Sequence, residues 1–371
     1  MQARLRELVE KKVWIGLDGF VDKIVQPVKE RKRVGKDFIP FSSLSVLGEK
    51  IKQASKSNLN IELYPKFEKM GGNGPLLANV LANFGAKVDY VGTLGDPIHP
   101  VFENFCKKTH VISLGMPGES SALEFADGKL ILGNTYPMDS ITYELLTQKI
   151  SEDELIKTYS ESSLISWQNW TMIFNMNDIF DKILQHIWPK VSMLDKRICF
   201  FDLADPAKRS VKDIYKLLEL LFQFKSRAKV YLGLNRSEIK HVGMLLNLPS
   251  PQVEIAHLDY QQWVENIRQK LKLDGVIMHC CEGAIASCCH ETVFVPAFKA
   301  KQLTCLTGSG DHFNGGVLGG LLMNLSLEQC LVLGHITSVL YIELGKTPTL
   351  EAIQNFYNRM ANKGNYYEKQ R

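Results

Sequence analysis

The sequence predicts an α/β fold: a doubly wound, mainly parallel sheet with helices on both faces, and a small β-sheet appended to it. Two observations carry that expectation. Short β-branched or apolar runs alternate with helical stretches along most of the chain, the pattern of strands joined by crossover helices. Two segments then break the alternation with strand-like sequence of their own.

The core strands are expected at 13–17, 88–92, 163–167, 198–203, 229–234 and 275–279, each a short apolar run. The clearer break lies at 121–133, where Asp127-Gly128 stands between alternating hydrophobic arms, the strongest short-range hairpin signal. The other is the strand-like stretch 60–67 ahead of Gly71. Together they place the small β elements at 33–70 and 113–138, inserted in one domain that spans 1–371. Residues 140–164 are polar and helical in character, and Pro and Gly are too dispersed to mark a linker to a second domain.

Composition sets the class. Hydrophobic residues make up 45% and charged residues 23%, which is an ordinary globular balance. The net charge of +4 is scattered, so no basic stripe points to nucleic acid. The run Lys29-Glu30-Arg31-Lys32-Arg33 reads as a solvated face. The N-terminus mixes charges throughout, and no uninterrupted apolar run approaches the ~20 residues that cross a bilayer, so a cytoplasmic protein without a membrane partner is expected.

The eight cysteines suit that compartment as reduced thiols. One cluster joins His279-Cys280-Cys281 to Cys288-Cys289-His290. Adjacent residues on a strand point to opposite faces, so vicinal cysteines do not easily share one tetrahedral metal. A hairpin of buried free cysteines is the expectation there.

The chemistry concentrates in Thr307-Gly308-Ser309-Gly310-Asp311, which leads into a buried helix beginning His312-Phe313-Asn314. Glycines let backbone N–H groups turn toward one point, and the helix N-terminus adds its positive dipole end, so the segment can bind phosphate. An acid beside an anion site repels the ligand unless it has work there. Phosphoryl transfer supplies that work: the carboxylate accepts the proton of the attacking hydroxyl while N–H groups stabilise the transferred group. The plainer alternative is a helix cap with glycines for close packing, as in Gly315-Gly316 and Gly319-Gly320. A dinucleotide fingerprint is ruled out by Phe313 and Leu77 at its third-glycine positions, and a P-loop ending at Gly345-Lys346-Thr347 by Leu340 at its first.

The segment from Thr307 to Asp311, followed by Phe313 and Gly315-Gly316, resembles the C-terminal signature of the ribokinase-like (phosphofructokinase B-type) carbohydrate kinase family. Three further stretches are similar to that family, in its order. Met70-Gly71-Gly72-Asn73-Gly74, with Asn83-Phe84-Gly85-Ala86 and Gly92-Thr93-Leu94-Gly95-Asp96, looks like the N-terminal signature. Asn235-Arg236-Ser237-Glu238 looks like the Asn-x-x-Glu motif, and Gly16-Leu17-Asp18-Gly19-Phe20-Val21-Asp22 like the end of the first strand with its substrate-binding aspartate. The likeness runs from about Val13 to about Leu350, and agreement among independent segments is what a lone motif lacks.

The resemblance implies a ribokinase-like fold whose small sheet is a lid, closing over substrate to exclude water. It implies ATP as donor, Mg²⁺, and a small sugar or sugar-like acceptor, with a monovalent cation left open. Asp311 would be the general base, with Gly308, Ser309 and Gly310 as anion hole. Asn235 and Glu238 would act on Mg²⁺ and the phosphates, Glu238 largely through water, as a hard and strongly hydrated cation prefers. Asp22 or Asp18 would bind sugar hydroxyls, beside the backbone of Gly71 and Gly72 and the amide of Asn73. His279, Cys281, Gly283 and Thr307 would lie along the nucleotide.

Three departures stand out. Leu76 occupies a position where ribokinases carry a sugar-contacting asparagine, Cys281 replaces a glycine of the nucleotide segment, and Cys305-Leu306 replaces the customary Asp-Thr before Thr307. The alternatives are a nucleoside kinase of the same family, with Phe125 as an aromatic clamp, a catalytically silent ligand-binding or regulatory protein on this fold, and an ADP-dependent sugar kinase, which generally needs a longer chain. Exposed strand edges of the lid leave a homodimer open.

Overall fold

The computed structural model describes residues 6–194, 197–288 and 291–362. Cys289 and His290 lie outside them. The strands, in chain order, are β1 (Lys12–Leu17), β2 (Phe20–Arg31), β3 (Phe38–Pro40), β4 (Leu63–Gly71), β5 (Lys87–Gly92), β6 (His110–Ser113) and β7 (Gly118–Phe125). They continue as β8 (Gly128–Asn134), β9 (Leu164–Trp167), β10 (Ile198–Asp202), β11 (Lys229–Asn235), β12 (Gly275–His279), β13 (Gly283–Cys288) and β14 (Thr292–Pro296).

The main sheet has nine strands in the order β14-β13-β12-β11-β10-β9-β1-β5-β6. From β12 to β6 every pairing is parallel, and β13 runs antiparallel to both its neighbours. All residues of β9 and β10 are buried, which is why these strands read as continuous apolar runs rather than alternating ones. Each of the six expected core strands is present.

From β1 the chain first builds β5 and β6 on one side, then β9 to β12 on the other. The strand order therefore reverses between β1 and β9, and open α/β sheets bind ligands outside the carboxyl ends of strands at such a point. Asp18, Gln168, Asp202, Asn235 and His279 all stand at or just beyond those ends.

Helices cover both faces. On one face the helix Ser309–Leu322 lies between Asn73–Asn83 and Leu327–Leu344, with every residue from His312 to Gly320 buried. It has no room for larger side chains: a Cβ on Gly316 would sit 2.8 Å from the Gly334 Cα, and one on Gly319 2.7 Å from the Phe84 ring. Asp311 therefore starts from a rigid platform. The helix Leu327–Leu344 is long and apolar enough by composition to cross a membrane, but most of it is buried inside the fold.

The small sheet is built around β2. Phe20 to Pro27 pair antiparallel with β4, Phe20 to Val25 pair parallel with β7, and the outer part of β2 pairs with β3. The hairpin at Asp127-Gly128 adds β8. Val25, Phe41, Leu47 and Leu123 form a minor core, and Phe125 packs against it. The sequence reading began these elements at 33 and treated Asp22 as the end of the first strand. Instead β1 stops at Leu17, and β2 carries Asp22 into the small sheet because its partners are the distant β4 and β7.

The cysteine expectation also needs correction. Cys199, Cys305 and Cys330 are buried, but Cys281 is exposed and Cys280 half-buried, because the β12–β13 turn opens onto a cavity, and Cys288 is half-buried at the other end of β13. Among the described residues no group of three or more His, Cys, Asp or Glu side chains is placed to hold a metal ion.

Candidate active site

The turn before Asp311 is held from outside. Gly308 has φ +97°, a left-handed conformation suited to glycine, and a Cβ there would meet Leu76 Cδ1 at 2.6 Å. The Thr307 carbonyl accepts from Lys69 Nζ at 2.9 Å and Tyr341 Oη at 2.7 Å. The Gly308 carbonyl is 2.7 Å from His312 Nδ1. Burial lowers the His312 pKa to about 3, so the ring is neutral, its Nδ1–H donates to that carbonyl, and Nε2 accepts from Thr347 Oγ1 at 2.9 Å. Ser309 N–H closes the turn on the Leu306 carbonyl at 3.3 Å. The N–H groups of Gly310 and Asp311, in the first turn of the helix, have no acceptor inside it and face outward.

Asp311 is half-buried on that first turn. Burial pushes its carboxyl up to about 8, helped by Asp18 and Asp22 and opposed by Lys129 and Lys69. At neutral pH it is largely protonated, and once ionised it is a far stronger base than an exposed aspartate.

The two competing aspartates differ in what surrounds them. Asp18 is fully buried beyond β1, and Oδ2 accepts from Asn73 N–H at 2.9 Å and Asn169 Nδ2 at 2.8 Å. Its Oδ1 accepts from Gly74 N–H at 2.8 Å. Asp18 thus caps the start of the helix Asn73–Asn83, where Gly72 has φ +91°. Asp22 lies on the small sheet, accepting from Ser120 Oγ at 2.6 Å through Oδ1. Gly71 packs directly on it: a Cβ there would lie 2.3 Å from Oδ1. Burial raises both carboxyl pKa values.

Asp202 escaped the sequence reading. It ends β10, is buried, and accepts from Asn73 Nδ2 at 3.2 Å and Asn314 Nδ2 at 3.0 Å. Burial first, then Glu238, Asp311 and Asp18, hold its carboxyl well above the usual range. Asn169 and Asn314 join the same cluster, each with a buried Oδ1 that has no hydrogen-bond partner. Two signals were available: Asp202 follows the apolar run of a central strand, as Asp18 does, and Asn314 stands one helical turn after Asp311.

On the other side of the turn before Asp311 lies a cavity of about 870 Å³. Asn235, His279, Cys281, Ser309 and Gly310 line it, with Arg236, Phe298 and Phe313 among the remaining walls. His279 packs on Phe313 and is kept neutral by burial, its pKa down to about 4. Arg236 pairs with Glu282 across the mouth at 2.5 Å.

Asn235 and Glu238 form a complete capping box: Oδ1 of Asn235 accepts from Ser237 and Glu238 N–H, and Glu238 returns a carboxylate oxygen to Asn235 N–H at 2.8 Å. The other Glu238 oxygen accepts from Asp205 N–H at 3.0 Å. Two expected nucleotide residues lie elsewhere. Thr307 turns toward the small sheet, where Oγ1 donates to Glu124 at 3.2 Å, and Gly283 sits behind the cavity wall against Phe294 and Val295.

The chain matches prokaryotic ketohexokinases as a family over residues 3–360. It is 24% identical over 349 residues to the ketohexokinase of Haloferax volcanii, covering 93% of this chain and 90% of that one. Among solved structures, the ribokinase of Thermotoga maritima superposes with TM-score 0.59 at 16% identity, covering 94% of this chain and 98% of the other. The adenosine kinase of Sinorhizobium meliloti gives 0.62 at 17%, covering 94% and 99%. The solved structures establish the ribokinase-like fold, and the family match establishes the class of enzyme: this chain belongs to the prokaryotic ketohexokinase family and is a carbohydrate kinase.

Proposed function

We propose that this chain transfers the γ-phosphoryl of ATP to a hydroxyl of a ketohexose, with Asp311 as general base. One observation carries the reading: Asp311 stands at a helix N-terminus between the cavity walled by Ser309 and Gly310 and the aspartates Asp18 and Asp22. Donor, base and acceptor sites then meet at one turn, so the reaction needs positioning more than covalent chemistry.

The nucleotide would occupy the large cavity beside His279 and Cys281, its phosphates reaching the N–H groups of Gly308 to Asp311. Asp22 would accept from sugar hydroxyls, with Gly71 and Gly72 allowing close approach. Asp18 would act mainly by fixing the Asn73 and Gly74 backbone. As base, Asp311 takes the hydroxyl proton as the oxygen attacks, and the first-turn N–H groups stabilise charge on the transferred group.

Mg²⁺ fits the oxygen donors present, since Asp202 and Glu238 are buried carboxylates with raised pKa values and Asn314 Oδ1 is a buried acceptor without a partner. Both Glu238 oxygens already accept from backbone, which favours action through water. When bound, Mg²⁺ would neutralise phosphate charge.

A nucleoside acceptor is less favoured, because Phe125 is packed into the minor core of the small sheet. Exposed Phe67 on β4 and Leu132 on β8 keep a homodimer through the small sheet as a secondary proposal, tested by light scattering of the purified chain. The function is tested by ADP release with ATP, Mg²⁺ and fructose, run beside Asp311→Asn. Fructose-stimulated turnover is expected, falling about 10²- to 10⁴-fold in the variant. Equal rates in the two proteins would remove Asp311 from the mechanism.

A further inference from the structure

Lys69 has no role in the mechanism described so far, yet it reaches the residue just before the anion-binding turn. It lies on β4 directly across from Asp22 on β2. Its ammonium leaves the small sheet and donates to the Thr307 carbonyl at 2.9 Å, Tyr341 Oη at 2.8 Å and Cys305 Sγ at 3.0 Å. An ammonium has three donors, so all are engaged at one point. The Tyr341 hydroxyl donates to the same carbonyl at 2.7 Å. A second side chain of the small sheet, Glu124 on β7, accepts from Thr307 Oγ1 at 3.2 Å.

The peptide plane gives this arrangement a consequence. The Thr307 carbonyl and the Gly308 N–H belong to one rigid trans unit and point in opposite directions. Holding the carbonyl therefore aims the first N–H of the turn away from Lys69, just ahead of the helix that starts at Ser309 and carries Asp311 in its first turn. Gly308, with its positive φ, has no side chain to help fix that plane. A free monovalent cation could hold a carbonyl and a hydroxyl in the same way. Here a covalently attached one does so.

We propose that Lys69 is a positioning residue for phosphoryl transfer, a built-in cation that fixes the Thr307–Gly308 peptide and with it the anion hole. The inference rests on the kinase reading above. It also makes the small sheet part of the catalytic machinery, because the turn is fully held only while β4 is seated over it. Besides Lys69, the charged or titratable groups around Asp311 include Asp18, Asp22, Asp202, Lys129 and Tyr341, with His312 adjacent in sequence. Removing Lys69 removes one of the two groups that draw the Asp311 pKa down.

The test is Lys69→Met, which keeps the aliphatic stem and loses charge and donors, assayed for fructose-dependent ADP release. Expected is a fall in kcat of about 10- to 100-fold, the cost of a displaced catalytic group, with KM for ATP and fructose within about threefold. The acid limb of kcat/KM should also move to higher pH. In Lys69→Ala, ammonium or methylammonium should restore part of kcat, whereas tetramethylammonium at equal ionic strength should not. If Lys69→Met fails to fold, Tyr341→Phe removes the second donor to the same carbonyl and should lower kcat about 3- to 10-fold with KM unchanged. An active wild type with unaltered kcat in Lys69→Met, or an effect confined to KM, overturns the inference alone. A wild type without fructose-stimulated turnover overturns the kinase reading and this inference with it.

Discussion

Acidification is the most searching perturbation of the proposed base. Asp311 is raised to about 8 by burial and by Asp18 and Asp22, so the unliganded protein at about pH 7 holds only about one tenth of its molecules with the base ionised. Around pH 6 the fraction is about one hundredth, and kcat/KM, which reports the free enzyme, should fall tenfold per unit over that range. The assay is coupled ADP release with Mg²⁺-ATP and fructose both well below saturation, so that the rate reports the free enzyme, in overlapping buffers at constant ionic strength. The apparent value belongs to the group of interacting carboxyls and is expected about a unit either side of 8. Residual activity of Asp311→Asn should lack the limb. A profile flat between about pH 6 and pH 9, or an identical limb in the variant, would refute the assignment.

Asp311→Asn should also stabilise the protein, with a defined sign. The folded pKa of about 8 exceeds the unfolded value near 3.9, so the stability linked to this proton is fully present below about pH 4 and lost as pH rises through about 8. The variant should therefore match wild type near pH 4 and melt roughly 1–3 °C higher at about pH 8, a gain of about 1–2 kcal/mol after discounting for partial exposure. Equal melting curves at both pH values would contradict the raised pKa. Gly308→Ala should combine strain with a clash, since φ is +97° and the new methyl would meet Leu76 Cδ1 at 2.6 Å. A loss of about 1–3 kcal/mol in thermal unfolding and a fall in kcat of at least about tenfold are expected. Gly35→Ala is the control, because Gly35 also has positive φ but faces open space, and kcat should not change. Equal effects of the two substitutions on kcat would show that the turn geometry at Gly308 has no special part.

Much of the fold was legible because it is written in local pattern. A strand buried on both faces must be apolar along its whole length, and Asp127-Gly128 turns a hairpin wherever alternating arms flank it. The same holds for the turn from Gly308 to Asp311, whose glycines and aspartate are contiguous. The start of the small sheet was not legible, because Phe20 to Val25 become a strand only by pairing with residues roughly 50 and 100 positions away. Cys281 was misread as buried for a related reason: strand periodicity says nothing about a cavity opening at a turn.

The sequence by itself determined the layered α/β architecture, the turn from Gly308 to Asp311 and the kinase class, all properties of short contiguous segments or of their order. Tertiary structure alone decided what surrounds that turn. Asp202 receives Asn73 and Asn314, Asp18 becomes the organiser of the Gly72 turn, and Lys69 crosses from the small sheet to Thr307, 238 positions later in the chain. The physical reason is common to all three. A carboxylate or an ammonium takes its pKa and its task from the charges and dipoles packed around it, and packing brings those from parts of the chain that carry no mark of each other.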